Sequence, residues 1–250
     1  MVKVLVLAAG FATRLYPLTR HQPKALLEVG GKPVLTHLLE KVWPLPDLQE
    51  IWVVSNQRFA STFEAWAQAL QAPVPIHVLN DGATEDDNKI GGVGDLQFGL
   101  QAIAEKEGGR SDSEVLVLGG DNLIEFELLP YWREFQKEKS PLLLAEALPK
   151  LPPARRYGEI MLNSEGTVLR FREKPEVPES LLAATCLYCF PPGMEDWLNR
   201  YFEEGGDPDA PGRFFEWLVP RTKVRAVAFQ GRRWDIGNLE ILEAARAAYS

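Results

Sequence analysis

The chain has 250 residues, 46% hydrophobic and 25% charged, an ordinary globular balance with enough apolar material for a sizeable core. Against 35 Asp and Glu stand 27 Lys and Arg, a formal net charge of −8. That excludes a duplex-DNA footprint but not a small anionic ligand held by a few placed cations. Cys186 and Cys189 lack the second ligand pair of a CxxC metal site, so they read as buried structural thiols in a reducing compartment.

The opening "MVKVLVLAAG" reads as a first buried strand rather than a signal peptide. No apolar stretch approaches the roughly 20 residues of a spanning helix. A cytoplasmic protein with no membrane and no nucleic-acid partner is expected. In chain order, Lys3–Ala8 predicts a strand, Pro33–Val42 a helix, Ile51–Ser55 a strand, Arg58–Leu70 a helix and Val74–Leu79 a strand. Gly94–Glu105 predicts a helix and Glu114–Leu118 a fourth strand, ending in "GGDN". This alternation implies an α/β fold with a doubly wound, mostly parallel sheet, Rossmann-like, whose ligands sit beyond the carboxyl ends of the strands.

The second half changes character. Pro141–Leu148 predicts a strand, and Tyr157–Leu162, Thr167–Phe171 and Ala183–Phe190 shorter, partly antiparallel ones, with "NSEG" (Asn163–Gly166) as a tight turn. Helices are expected over Glu195–Phe202, Phe214–Val219 and Leu239–Tyr249, and a last strand over Val224–Phe229. The expected organisation is one domain over residues 1–250. Residues 1–125 form a mainly parallel half, and residues 126–250 a smaller, partly antiparallel portion.

The first strand runs into a turn of small residues, Ala8, Ala9, Gly10, Ala12 and Thr13. Neither a P-loop nor a GxGxxG fingerprint fits, since Ala12 and Leu15 occupy the second and third glycine positions of the latter. Small residues there leave backbone N–H groups open to an anion. Arg14 and Lys24 add positive charge on a loop stiffened by Pro17 and Pro23. A triphosphate suits these groups; solvated surface cations are the plain alternative. Asp121 after its strand, and Asp235 before the last helix, are each either a helix-cap residue or a ligand for a divalent cation.

The segment "LAAGFATRLYPLTRHQPKALLEVGGKP" (Leu7–Pro33) resembles the signature LAAGxGTRLxPLTxxxPKxLxxxxxKP of the sugar-1-phosphate nucleotidyltransferases, the family that includes glucose-1-phosphate thymidylyltransferase. Ala12 stands where the commonest pattern has Gly. "GGDN" is similar to the family's "LGDN", "RWDIGN" to its "WxDxGT" with Asn238 for Thr, "YGEI" to "YGVV", and "REKP" to "EKP". The resemblance implies that residues 1–125 form mainly the nucleotide-binding half and residues 126–250 mainly the sugar-binding portion, that Leu7, Ala8, Ala9, Gly10, Ala12 and Thr13 bind the nucleotide, that Arg14 clamps its phosphates and that Lys24 orients the transferring phosphoryl group. Asp121 and Asp235 would hold one Mg²⁺. Asn122, Tyr157, Gly158, Glu173 and Lys174 would bind the sugar phosphate, Lys174 pairing the incoming phosphate as a third catalytic cation. Asn80 is the candidate base reader, with Gly91 or Gly92 allowing close approach. Between them the acidic run Glu85–Asp87 reads as a solvated face.

The implied reaction is Mg²⁺-dependent transfer of a nucleoside monophosphate from an NTP to a sugar 1-phosphate, with dTTP and glucose 1-phosphate the leading pair. The partners are then those small molecules, and a homo-oligomer is compatible. Two rivals remain: cytidylyl or uridylyl transfer to a non-sugar phosphate such as phosphocholine, and a catalytically silent regulatory relative. A nicotinamide-dependent oxidoreductase is disfavoured by Ala12 and Leu15.

Overall fold

The computed structural model describes residues 1–249. Its first elements are β1 (Val2–Leu7), β2 (Glu28–Val29), β3 (Lys32–Pro33), α1 (Val34–Glu40), β4 (Leu48–Ser55), α2 (Ala60–Ala69) and β5 (Ile76–Asn80). Next come α3 (Gly92–Lys106), β6 (Glu114–Gly119), β7 (Asn122–Ile124), α4 (Leu129–Glu138), β8 (Leu142–Ala147), β9 (Glu159–Leu162), β10 (Val168–Arg172) and β11 (Leu182–Phe190). The series continues with α5 (Met194–Glu203), α6 (Pro211–Leu218), β12 (Arg225–Ala228), β13 (Arg233–Asp235) and α7 (Leu239–Ala248). The chain divides into two compact units. An amino-terminal unit comprises Val2–Lys89, Leu118–Leu129 and the segment from Gly231 on; a central unit comprises Met1, Ile90–Val117 and Pro130–Gln230. Among the described residues no helix is long and apolar enough to cross a membrane.

In the amino-terminal unit β1, β4 and β5 pair in parallel, with Leu5 opposite Trp52 and Val53 opposite Val78. The continuous apolar runs of β1 and β4 are buried, as parallel strands require. α1 buries Val34, Leu35, Leu38 and Leu39, the stripe its periodicity predicts. A second core joins Leu15, Leu27, Val29, Val34, Leu123, Ile236, Leu242 and Ala245. This core fixes the loop after β1 against a two-stranded ribbon, β13 on β7, in which Asp235 faces Asn122 and Trp234 faces Leu123.

In the central unit β11 pairs antiparallel with β8 and β9, β9 pairs antiparallel with β10, and β12 runs parallel to β8. The antiparallel character expected of the second half is therefore present. Asn163 shapes the predicted turn: its Oδ1 accepts from the N–H groups of Glu165 and Thr167, and Gly166 takes φ +80°. α6 begins at Pro211 rather than Phe214, since proline's fixed φ and missing N–H suit the first helical position. α4 carries no readable sequence signal, since it buries only Trp132 and Phe135 among charged neighbours, too narrow a stripe.

Candidate active site

The loop after β1 is held from several sides. Asn56, fully buried, donates to the Ala9 carbonyl at 2.7 Å and accepts from the Phe59 N–H at 3.1 Å. The buried Thr19 hydroxyl donates to the Ala12 carbonyl at 2.8 Å. A side chain at Gly10 would meet nothing of the chain, so the space beside it is open. Ala12 sits at φ 51°, ψ 43°, the left-handed region where a Cβ costs about 1–2 kcal/mol. That conformation is why glycine is the commoner choice in the signature. Thr13 and Arg14 follow, both exposed.

Lys24 opens a short 3₁₀ turn and forms an ion pair with the Asp121 carboxylate, the two side chains 21% and 27% exposed. Only Gly120 separates Asp121 from the end of β6, and β7 rather than a helix comes next, so it caps no helix. The cap of α7 is Asn238, whose Oδ1 accepts from the Ile241 N–H at 2.9 Å. Asp235 is thereby left to other contacts. Across the ribbon, the Ile236 N–H donates to the Asp121 carbonyl at 3.1 Å, which brings the two aspartates to neighbouring positions.

Asn122 is buried and its amide is used within the chain: Nδ2 donates to Asp121 Oδ1 and to the Gly119 carbonyl, each at 3.0 Å, and Oδ1 accepts from Arg233 Nη1 at 2.7 Å. The same guanidinium lies 3.7 Å from Asp235. Arg233 is a site residue beyond those the sequence singles out. The signal was available in the WxDxGT pattern, where an aromatic stands two residues before the aspartate; here that place is Arg233 and the aromatic is Trp234.

The electrostatics of the pair follow from these contacts. Burial pushes the Asp121 carboxyl up, but the charge and hydrogen bond of Lys24, with Arg233 behind, outweigh it and hold the group below its ordinary range. Burial, and then the charge of Asp121, raise Asp235 against the pull of Arg233, Lys24 and Arg14. Two hard carboxylates whose repulsion is felt on one of them fit a small divalent cation. Mg²⁺ takes one or two such groups and completes its shell with phosphates and water.

The central unit carries the residues expected on the sugar side. Arg156 lies over the Tyr157 ring and its Nε donates to the Tyr157 hydroxyl at 2.9 Å. Gly158 is buried, and the place of its missing Cβ is 2.8 Å from Glu173 Oε2 and 2.9 Å from the Phe171 ring. Glu173 is 8% exposed; burial raises its carboxyl, Glu216 adds to this, and Lys174 and Arg213 oppose it. Lys174 reaches Glu173 at 3.6 Å from a left-handed backbone, φ 47°. That conformation is strained for a residue that carries a Cβ.

The base-side residues divide. In the amino-terminal unit Asn80 ends β5, donating to Gln57 Oε1 at 2.6 Å and accepting from the Gly82 N–H at 2.9 Å. The acidic run Glu85–Asp87 is exposed. In the central unit Gly91 and Gly92 lie against the chain itself. A Cβ on Gly91 would fall 2.3 Å from the Pro208 carbonyl oxygen, and one on Gly92 2.8 Å from the Pro211 ring. The first N–H groups of α3 donate to the carbonyls of Asp209 and Pro208. The close approach these glycines allow is thus to Pro208–Pro211. The cysteines form no disulfide; Cys189 is buried, which pushes its thiol well above the ordinary value.

A parallel α/β unit with a small-residue loop at a strand's carboxyl end, two cations and paired aspartates defines a nucleotide-handling protein. The family model described as nucleotidyl transferase matches residues 3–250. The chain belongs to that family, among the sugar-1-phosphate nucleotidyltransferases. It is 28% identical over 242 residues to the bifunctional protein GlmU of Methanocaldococcus jannaschii, covering 96% of this chain and 52% of that protein. It is 27% identical to the UTP–glucose-1-phosphate uridylyltransferase AglF of Haloferax volcanii, covering 94% and 91%. The chain therefore spans about half the length of the first relative and nearly all of the second. A solved UDP-glucose pyrophosphorylase complexed with UDP-glucose shares the fold, with a TM-score of 0.79, 20% identity and coverage of 100% and 98%.

Proposed function

We propose that this protein, in the cytoplasm, transfers a nucleoside monophosphate from an NTP to a sugar 1-phosphate, releasing pyrophosphate, with dTTP and glucose 1-phosphate the leading pair. The observation that carries this reading is the linked set in the amino-terminal unit: Lys24 on Asp121, Asn122 between Asp121 and Arg233, and Asp235 beside Arg233. The small-residue loop with Arg14 offers the triphosphate its N–H groups and charge. Lys24 holds the phosphoryl group being transferred, which requires it to exchange Asp121 for phosphate oxygen. Asp121 and Asp235 hold Mg²⁺, which when bound supplies positive charge at the reacting phosphate.

In the central unit Lys174 pairs the phosphate of the sugar 1-phosphate, and Glu173 accepts hydrogen bonds from sugar hydroxyls. The attacking phosphate oxygen is already deprotonated near neutral pH, so positioning and charge neutralisation, rather than a side-chain base, carry the acceleration. A matrix of sugar 1-phosphates against dTTP, UTP, CTP, GTP and ATP, read by pyrophosphate release with Mg²⁺, tests the reading. Release with one sugar phosphate and one NTP supports it; release with none, or with phosphocholine alone, overturns it.

A further inference from the structure

Arg233 is a cation buried among carboxylates. Its side chain is 5% exposed. The β7–β13 register places Asp235 opposite Asn122 and Arg233 opposite Ile124, so Asn122, Arg233 and Asp235 share one face of the ribbon. Leu123 and Ile236, in the core beneath, fix that ribbon in place. From this seat Nη1 donates to Asn122 Oδ1 at 2.7 Å and lies 3.7 Å from Asp235 Oδ2. Asn122 in turn donates to Asp121 Oδ1 at 3.0 Å. One guanidinium therefore touches one carboxylate directly and the other through an amide. Its burial and this engagement turn it toward the protein's own carboxylates, whereas Arg14 is exposed.

The geometry points to Arg233 as a positioning residue that serves as a built-in counter-charge for the Asp121–Asp235 pair, bracing both carboxylates and weakening their hold on a divalent cation until nucleotide phosphates arrive. The physical reason is charge balance. Two adjacent carboxylates repel each other and attract a dication strongly. A fixed cation beside them removes part of both effects, and a planar guanidinium does so while fixing geometry, which a lysine does less well. An incoming triphosphate restores the negative charge, so metal and nucleotide enter together. This inference rests on the proposed reading of the two aspartates as metal ligands.

The test uses the whole chain and Mn²⁺ as a paramagnetic probe, titrated with and without NTP and followed by electron paramagnetic resonance. Without nucleotide, Arg233→Gln is expected to bind Mn²⁺ at least about fivefold more tightly than the parent, while Arg233→Lys, keeping the charge, stays within about twofold. The kcat of Arg233→Gln falls as its carboxylates lose their brace. Unchanged or weaker Mn²⁺ binding in Arg233→Gln, the mark of a packing role alone, overturns the assignment, as does equal tightening in Arg233→Lys. Should Arg233→Gln fail to fold, Arg233→Trp carries the same expectation. A parent protein that binds no Mn²⁺ even with NTP sinks the metal reading itself; a parent that binds it, with Arg233→Gln unaltered, sinks only the role of Arg233.

Discussion

Glu173 occupies the place of a side chain on Gly212: a Cβ there would fall 1.8 Å from Glu173 Oε2. Gly158 leaves room for the same oxygen from another side, at 2.8 Å. Two glycines therefore make the pocket that holds this carboxylate. Gly212→Ala must push Glu173 out or shift the start of α6, at an overpacking cost of about 1–3 kcal/mol. The expected result is a lower Tm with a raised KM for the sugar phosphate and little change in the KM for NTP. Equal rises in both KM values would remove Glu173 from the sugar side.

The buried Glu173 also sets a pH dependence. Its folded-state pKa lies above the ordinary 4.5, chiefly through burial, so the ionised form costs stability at neutral pH. As pH falls through the folded value toward the unfolded one, the folded state takes up the proton first and the parent gains stability relative to Glu173→Gln. Urea unfolding between pH 5 and 8 checks this: Glu173→Gln is the more stable at the upper end, and the gap closes toward the lower.

Glu159 runs the other way. It is 3% exposed, ion-paired with Arg172, and accepts from the N–H groups of Glu179 and Ser180 at 2.7 and 3.2 Å. Burial raises its carboxyl, but these hydrogen bonds and the Arg172 charge outweigh it, and its folded pKa falls below 4.5. Its stabilisation is thus fully present above 4.5 and lost as pH drops through the depressed value. Glu159→Ala, which strands Arg172 and two N–H groups, is expected to cost about 3 kcal/mol at pH 7. That loss shrinks in acid; unfolding measured at pH 7 and pH 3.5 shows whether it does.

How much of the fold and site is legible in the sequence depends on the range of the signal. β1, β4 and the stripe of α1 are local patterns, apolar runs and helical spacing, and they were readable. So was Asp121 at the end of a strand. The β7–β13 ribbon was not: each strand is three residues long, and Asn122 pairs with Asp235 across nearly half the described chain without any local periodicity. Arg233 went unnoticed with it, because its meaning lies in that pairing. Gly91 and Gly92 read as points of close approach for a nucleotide base, and no local signal places Pro208–Pro211, equally remote in sequence, against them.

The glycine pair yields its own test. Gly91 has φ +84°, and a Cβ there would collide with a backbone carbonyl rather than a movable side chain. Left-handed strain and overpacking together predict a loss of at least about 2 kcal/mol for Gly91→Ala. Ala12→Gly should act oppositely, gaining up to about 1 kcal/mol after the extra unfolded-state entropy of glycine is subtracted. Thermal unfolding of both variants decides; a stable Gly91→Ala would show that Pro208–Pro211 moves freely away from α3.

The Lys24–Asp121 ion pair gives the last prediction. Lys24 neutralises Asp121 in the structure, yet the proposed reaction asks it to hold a phosphoryl group and asks Asp121 to hold metal. Lys24→Ala leaves Asp121 without its main compensating cation, and Asp121→Asn leaves Lys24 without its partner. Each is expected to lower kcat by at least about tenfold, because contacts that strengthen as charge moves act on the transition state. The two should also differ. Asp121→Asn raises the Mg²⁺ concentration needed for half-maximal rate, whereas Lys24→Ala raises it little or lowers it, since a competitor for the Asp121 carboxylate is gone. The double variant should fall short of the product of the two losses, as residues in direct contact couple. Strictly multiplicative losses, with an unaltered Mg²⁺ requirement in Asp121→Asn, would show that the pair is a structural ion pair and that the reacting phosphates bind elsewhere.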